Sequence, residues 1–136
     1  MDKKTDKRLD TVVIDDKEYN IRCTIGVLAN LQEKFGTLDE FENKMRPKTP
    51  VLDEEGIQKK DEAGNPLWEY GTPDLGAITY ALPLMVNEGI LMEADRLGQP
   101  AQELDADYIL RNVQESPWLI GNKIISEFYR AFVSKK

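Results

Sequence analysis

The 136-residue sequence predicts a mainly α (α+β) domain: a short N-terminal β-hairpin, then a compact bundle of four to five helices, with a loop or hairpin excursion at about residues 46–72. Three observations carry that prediction. Apolar residues alternate with polar ones between Val12 and Cys23, and from Thr24 onward they recur at helical spacing behind good N-cap residues. The stretch from Arg46 to Thr72 breaks both periods with proline, glycine and charge. A chain of this length builds one core and buries roughly two-thirds of its unfolded surface, so residues 11–135 read as a single globular domain. Residues 1–10 alternate charges with almost nothing apolar to offset the entropy of ordering, and read as a mobile N-terminus.

Taken in order, Val12 and Ile14 share one face, Asp15 to Glu18 make a polar turn, and Tyr19, Ile21 and Cys23 alternate with Asn20 and Arg22. The turn lacks the Asn-Gly or Asp-Gly pair that marks the commonest hairpins, so its type stays open. Thr24 is placed to cap a helix bearing Val27, Leu28, Leu31 and Phe35, which Gly36 ends. "TLDE" follows as a capping box from Thr37 to Glu40, with Leu38, Phe41 and Met45 as the next stripe. In the excursion, Val51-Leu52 and Leu67 to Tyr70 are candidate edge strands, with turn signals at "EEG" and "AGNP".

Thr72-Pro73 reads as a cap with proline at the first helical position, opening the most apolar segment of the chain. Leu75, Ile78, Leu82, Met85, Val86 and Ile90 fall on one side of it, and Tyr80, Leu84 and Leu91 are among those on the other, which makes it the central helix. Pro83 inside it should kink or break it, because a backbone donor is lost and the ring crowds the preceding turn. A short helix begins near Asp105, and Ser116-Pro117 repeats the cap-plus-proline start for a last stripe of Trp118, Ile124, Ile125, Phe128, Tyr129 and Phe132. No internal repeat is apparent.

Composition removes several function classes. The chain has no histidine, so zinc sites and catalytic triads that depend on it cannot be built, and no catalytic, cofactor-binding or metal-binding residues are assigned. Cys23 has no basic neighbour in sequence and reads as a small core residue. Asp53-Glu54-Glu55 and Asp61-Glu62 do not fit the calcium-loop spacing and read as solvated loop. No glycine pattern for phosphate is present, and a formal charge of -7 argues against a nucleic-acid partner. Leu75 to Asn87, the longest uncharged stretch, is shorter than the roughly 20 apolar residues of a membrane span, and no membrane partner is expected. Glu88, Glu93 and Asp95 are the carboxylates a hydrolase could use, and ordinary surface carboxylates account for them without an active site. The residues best suited to anchor a protein partner are Trp68, Tyr70, Trp118, Ile125, Phe128 and Phe132.

"KEYNIRCTIGVLANLQEKFGTLDEF" and "ITYALPLMVNEGI" together resemble the tail assembly chaperones of long-tailed bacteriophages and prophages, related to the gene-transfer-agent tail family. The likeness spans about Ile14 to the last helix and rests on hydrophobic patterns and caps. It implies a non-enzymatic protein of the bacterial host cytoplasm that binds the tape measure protein, with the major tail protein as a further partner, and shields apolar helices during assembly. It also implies absence from the mature virion, and leftover apolar stripes suggest a homo-oligomer. The alternative it leaves is a structural tail subunit of tail tube or tail-completion type. The excursion "VLDEEGIQKKDEAGNPLWEY" departs from the family pattern.

Overall fold

The computed structural model describes residues 10–132 and is a mainly helical α+β fold, with five helices and two small sheets among the described residues. Residues 1–9 of the expected mobile N-terminus and residues 133–135 of the expected domain lie outside the described residues. Order is already present at Asp10, whose carbonyl accepts from Ile21 N–H at 3.0 Å. β1 (Thr11–Ile14) pairs antiparallel with β2 (Lys17–Asn20), Val12 opposite Tyr19 and Ile14 opposite Lys17.

The open question of the hairpin turn is answered by two positive backbone angles, φ 51° at Asp15 and 65° at Asp16, the signature of a type I′ turn. Aspartate is one of the few residues other than glycine that tolerates this region. Tertiary contacts hold it there: Asp15 accepts from Tyr108 Oη at 2.8 Å, and the Gln114 amide bonds both the backbone and the side chain of Asp16. The outer edge of β1 is closed by Gln114 N–H to the Val13 carbonyl at 2.9 Å.

α1 (Ile25–Phe35) is capped by Thr24, whose hydroxyl accepts from Val27 N–H, and ends at Gly36 with φ 92°. α2 (Leu38–Met45) follows at once, capped by Thr37 accepting from Glu40 N–H. α3 (Leu75–Leu97) is the central helix. Its cap is Asp74, not Thr72; Pro73 precedes the helix and instead packs against the site of Gly121, where an added Cβ would lie 2.6 Å from the proline ring. The expected break at Pro83 does not occur: the helix runs from Leu75 to Leu97 with the proline buried inside it. α3 also continues through ten residues beyond Asn87, to Leu97. At 23 residues it is long and apolar enough to cross a bilayer, and in this fold it serves as the core helix.

α4 (Ala106–Asn112) and α5 (Pro117–Phe132) complete the body. The core gathers Val12, Ile14 and Ile21 from the hairpin, Leu31, Phe41 and Met45 from α1 and α2, Leu82 and Met85 from α3, and Ile124 and Phe128 from α5. The hairpin docks so tightly on α3 that a Cβ at Gly89 would stand 2.1 Å from the Asn20 carbonyl oxygen, so only glycine fits. Beside it, Arg22 N–H donates to the Met85 carbonyl at 3.1 Å.

The excursion is ordered, and it is an arm. β3 (Lys48–Pro50) pairs with β4 (Trp68–Tyr70), so the first strand ends just before the expected Val51-Leu52 and the second starts one residue after the expected Leu67. Between them the same turn occurs twice, eight residues apart. Asp53 Oδ1 accepts from Glu55 and Ile57 N–H with Gly56 at φ 84°, and Asp61 Oδ1 accepts from Ala63 and Asn65 N–H with Gly64 at φ 90°. Each is a hairpin loop closed by a glycine bulge. The three extended segments then pair mutually: Val51 donates to Leu67, Leu67 to Lys59 and Lys59 to Val51, a closed ring of backbone bonds of 2.7 to 3.1 Å.

Candidate functional site

The outward side of α3 forms the floor of a groove of about 480 Å³. Its floor is Tyr80, Pro83, Leu84, Asn87, Glu88 and Leu91; one wall is Gly26, Val27 and Asn30 of α1, and the other is Glu103 and Ala106. This is why α3 must be apolar on two sides: one carries the core, the other the groove.

The walls are fixed by hydrogen bonds that the sequence periodicity does not reveal. Asn87 clamps the loop before α4, donating from Nδ2 to the Leu104 carbonyl at 2.9 Å and accepting from Leu104 N–H at 2.8 Å. Thr24 donates its hydroxyl to Glu88 at 2.7 Å while capping α1, which joins the α1 wall to the floor. At the other end, the Phe35 and Tyr80 rings meet edge to face at 5.9 Å, and Lys34 lies 5.3 Å over the Tyr80 ring. Pro83 and Thr79, one helical turn apart, both line the groove, and Pro83 has no N–H to give to the Thr79 carbonyl. The groove is therefore an apolar trough, acidic at Glu88 and Glu103 and cationic near Lys34.

The predicted anchor residues divide into three groups. Ile125 and Phe128 are core residues, at 6% and 0% exposure, which corrects the expectation that the last stripe is a partner surface. The reason is that α5 packs its stripe on α2 and α3: Phe128 sits 5.2 Å from the Phe41 ring. Trp118 and Phe132 are half exposed, at opposite ends of the same helix. Trp68 and Tyr70 are exposed on the arm, Trp68 under Lys48 at 4.4 Å and Tyr70 under Arg46 at 4.3 Å. The structure does not bring these residues together into one surface. The groove-forming residues Tyr80, Leu84 and Leu91 were visible in the sequence as the second apolar side of the central helix.

Cys23 is half-buried beside the core, and burial, followed by the negative charges of Glu127 and Glu88, pushes its thiol up to about 12. It stays protonated at neutral pH and is not an activated nucleophile. Among the described residues no group of three or more histidine, cysteine, aspartate or glutamate side chains is arranged to hold a metal ion. Glu88, Glu93 and Asp95 do not form a joint site: Glu88 is engaged by Thr24, and Glu93 pairs with Arg96 at 2.7 Å.

Comparison of the chain with protein-family profiles, with curated proteins and with solved structures finds no match in any of the three.

Proposed function

We propose that this protein is a tail assembly chaperone of a long-tailed phage or prophage, and that it holds an amphipathic helix of the tape measure protein in the α3 groove. The observation that carries the reading is the groove: a rigid-walled, apolar trough with charge at both ends, opened on the far side of the core helix. Such a trough takes a helix by its apolar face, in the helix-in-groove manner. Glu88 and Glu103 favour a client whose apolar stripe is flanked by lysine or arginine at that end. The sequence resemblance supplies the class of client, and the acidic surface keeps a complex with apolar helices soluble.

The test is co-expression with the neighbouring tape measure protein, followed by affinity capture and an aggregation assay. Leu91→Asp places a charge in the groove at a partly exposed helix position. The variant should keep the parent's circular dichroism and lose about tenfold or more in client affinity, the equivalent of 1.4 kcal/mol. Undiminished capture by a folded Leu91→Asp protein would sink the groove assignment. A structural tail subunit, the competing reading, would be found by mass spectrometry in purified virions, and the chaperone would not.

A further inference from the structure

We infer that the α3 groove has a direction: it takes an amphipathic helix with the N-terminal turn of that helix at the Glu88–Glu103 end, so that the guest runs antiparallel to α3. This rests on the helix-in-groove reading and adds to it which end of the guest is recognised, and by what.

The two ends of the groove are fixed by contacts. The Thr24 hydroxyl bonds Glu88 at 2.7 Å, which puts the start of α1 at that end. Tyr80 Oη donates to the Asn30 carbonyl and its ring meets Phe35, which puts the later turns of α1 at the other. From Tyr80 to Leu91 the floor is about 16 Å long, or about three helical turns. The start of α4 lies at the Glu88 end too, beside Glu103, with Asp105 as its cap and Asp107 in its first turn. Glu103 and Asp107 are exposed, and their side chains make no hydrogen bond or ion pair among the described residues.

Charge sets the direction. Arg96 is paired with Glu93, and Arg111, in the last turn of α4, lies one turn beyond Asp107 and offsets that residue at most. The positive ends of α1 and α4 add about half a charge each. Glu88, Glu103 and Asp105 outweigh them and leave this end negative by about two charges. At the Tyr80 end, Lys34 follows Glu33 directly, both exposed, and the sum is near zero. A helix entering the groove brings about half a positive charge and about four unbonded N–H groups at its N-terminus, and the opposite at its C-terminus. Glu103 is a free acceptor for the first and repels the second. One such contact favours the N-terminus at Glu103 by about two- to fivefold.

The experiment uses the full chain, isotope-labelled, and a synthetic amphipathic peptide of about 14 residues built from leucine, alanine, glutamine and lysine. Its sequence reads the same in both directions and its termini are blocked, so only the direction of the backbone distinguishes its ends. A nitroxide is attached at one end or the other. The N-terminal label should broaden the amide signals of Leu91 and Glu103 more strongly, and the C-terminal label those of Asn30 and Thr79. Glu103→Gln, at an exposed site with no bond to lose, should keep the parent's circular dichroism and reduce the preference about two- to fivefold. Labels that broaden the opposite ends, or both ends alike, overturn the direction and leave the groove reading standing. Undiminished preference in the Glu103→Gln protein overturns it as well. A peptide that broadens signals at neither end of the groove overturns both readings.

Discussion

In the helical body Leu31, Phe41, Met85 and Phe128 are completely buried, whereas between Arg46 and Thr72 no side chain is, and Val51, Gln58 and Leu67 are only half covered. Both regions are ordered, by different means. The body is held by apolar burial, in which each large side chain removed from water contributes about 1.5–3 kcal/mol. The arm is held by backbone geometry: two aspartate-seeded turns, two glycines at positive φ, and a ring of three mutual backbone bonds. Each of those hydrogen bonds contributes on the order of 1 kcal/mol net. The comparison teaches that such an arm can be shaped without a core of its own, while leaving its apolar side chains exposed.

The sharpest way to break that division is to remove one ring from each side. Phe128→Ala should destabilise the protein by about 3–5 kcal/mol, because the site is closed in by Phe41, Tyr129 and Phe132 and cannot collapse. Trp68→Ala should cost less than about 1 kcal/mol, since its ring is exposed and its main partner is a surface lysine. Urea unfolding measures both. Equal losses would mean that the arm belongs to the cooperative core.

A smaller effect separates local from global order. Gly56→Ala and Gly64→Ala force a Cβ into the left-handed region and should each cost about 1 kcal/mol, with nothing nearby to clash. Hydrogen exchange should then speed up at Val51, Lys59 and Leu67, while the unfolding midpoint of the body stays put. A midpoint that falls as far as for Phe128→Ala would join the two regions into one unit.

The body was legible because its signals are local and repeated. Thr24, Thr37 and Ser116 cap their helices as their positions suggest, and Gly36 ends the first helix. Asp74 displaced Thr72 as a cap because both are competent and only the packing of Pro73 against Gly121 chooses between them. Trp118 and Phe128 share a stripe at helical spacing, yet one is half exposed and the other buried, since exposure depends on what α2 and α3 present to each turn of α5. The arm was partly legible: its turns were marked by "EEG" and "AGNP", but the eight-residue recurrence of Asp-Glu-X-Gly at Asp53 and Asp61 is too short to stand out as a repeat before the two turns are seen to match. The ring it builds pairs residues that no alternation pattern connects. For the groove, the second apolar side of α3 was in view, and the Asn87 clamp and the Thr24–Glu88 bond that make it a trough are long-range contacts.

The smallest expected effect sharpens the comparison most, because it has opposite signs in the two regions. Glu127 is buried where α5 meets the start of the hairpin, accepting from Asp10 N–H at 3.3 Å and from Arg130 at 3.2 Å. Burial first, and then a hydrogen bond with the Asp10 side chain, raises its pKa above the ordinary glutamate value of 4.5. Asp61, fully exposed at the second turn of the arm, is lowered from its ordinary 3.8, chiefly by backbone donation from Asn65. A raised carboxyl contributes stability that is complete below the unfolded value and is lost as pH rises through the folded one. A lowered carboxyl contributes stability that is present above the unfolded value and is lost as pH falls through the folded one. Acidification from neutrality towards 4.5 should therefore firm the body at Glu127, and further acidification below 3.8 should loosen the arm at Asp61. Thermal melts of the parent and of Glu127→Gln over the first window should diverge, the parent gaining relative to the variant as pH falls. Amide exchange at Ala63 and Asn65 over the second window should accelerate in the parent and show a weaker pH response in Asp61→Asn, whose neutral side chain has no proton to gain. Parallel melting curves for parent and Glu127→Gln would show that Glu127 remains as comfortably charged inside the body as it is in the unfolded chain.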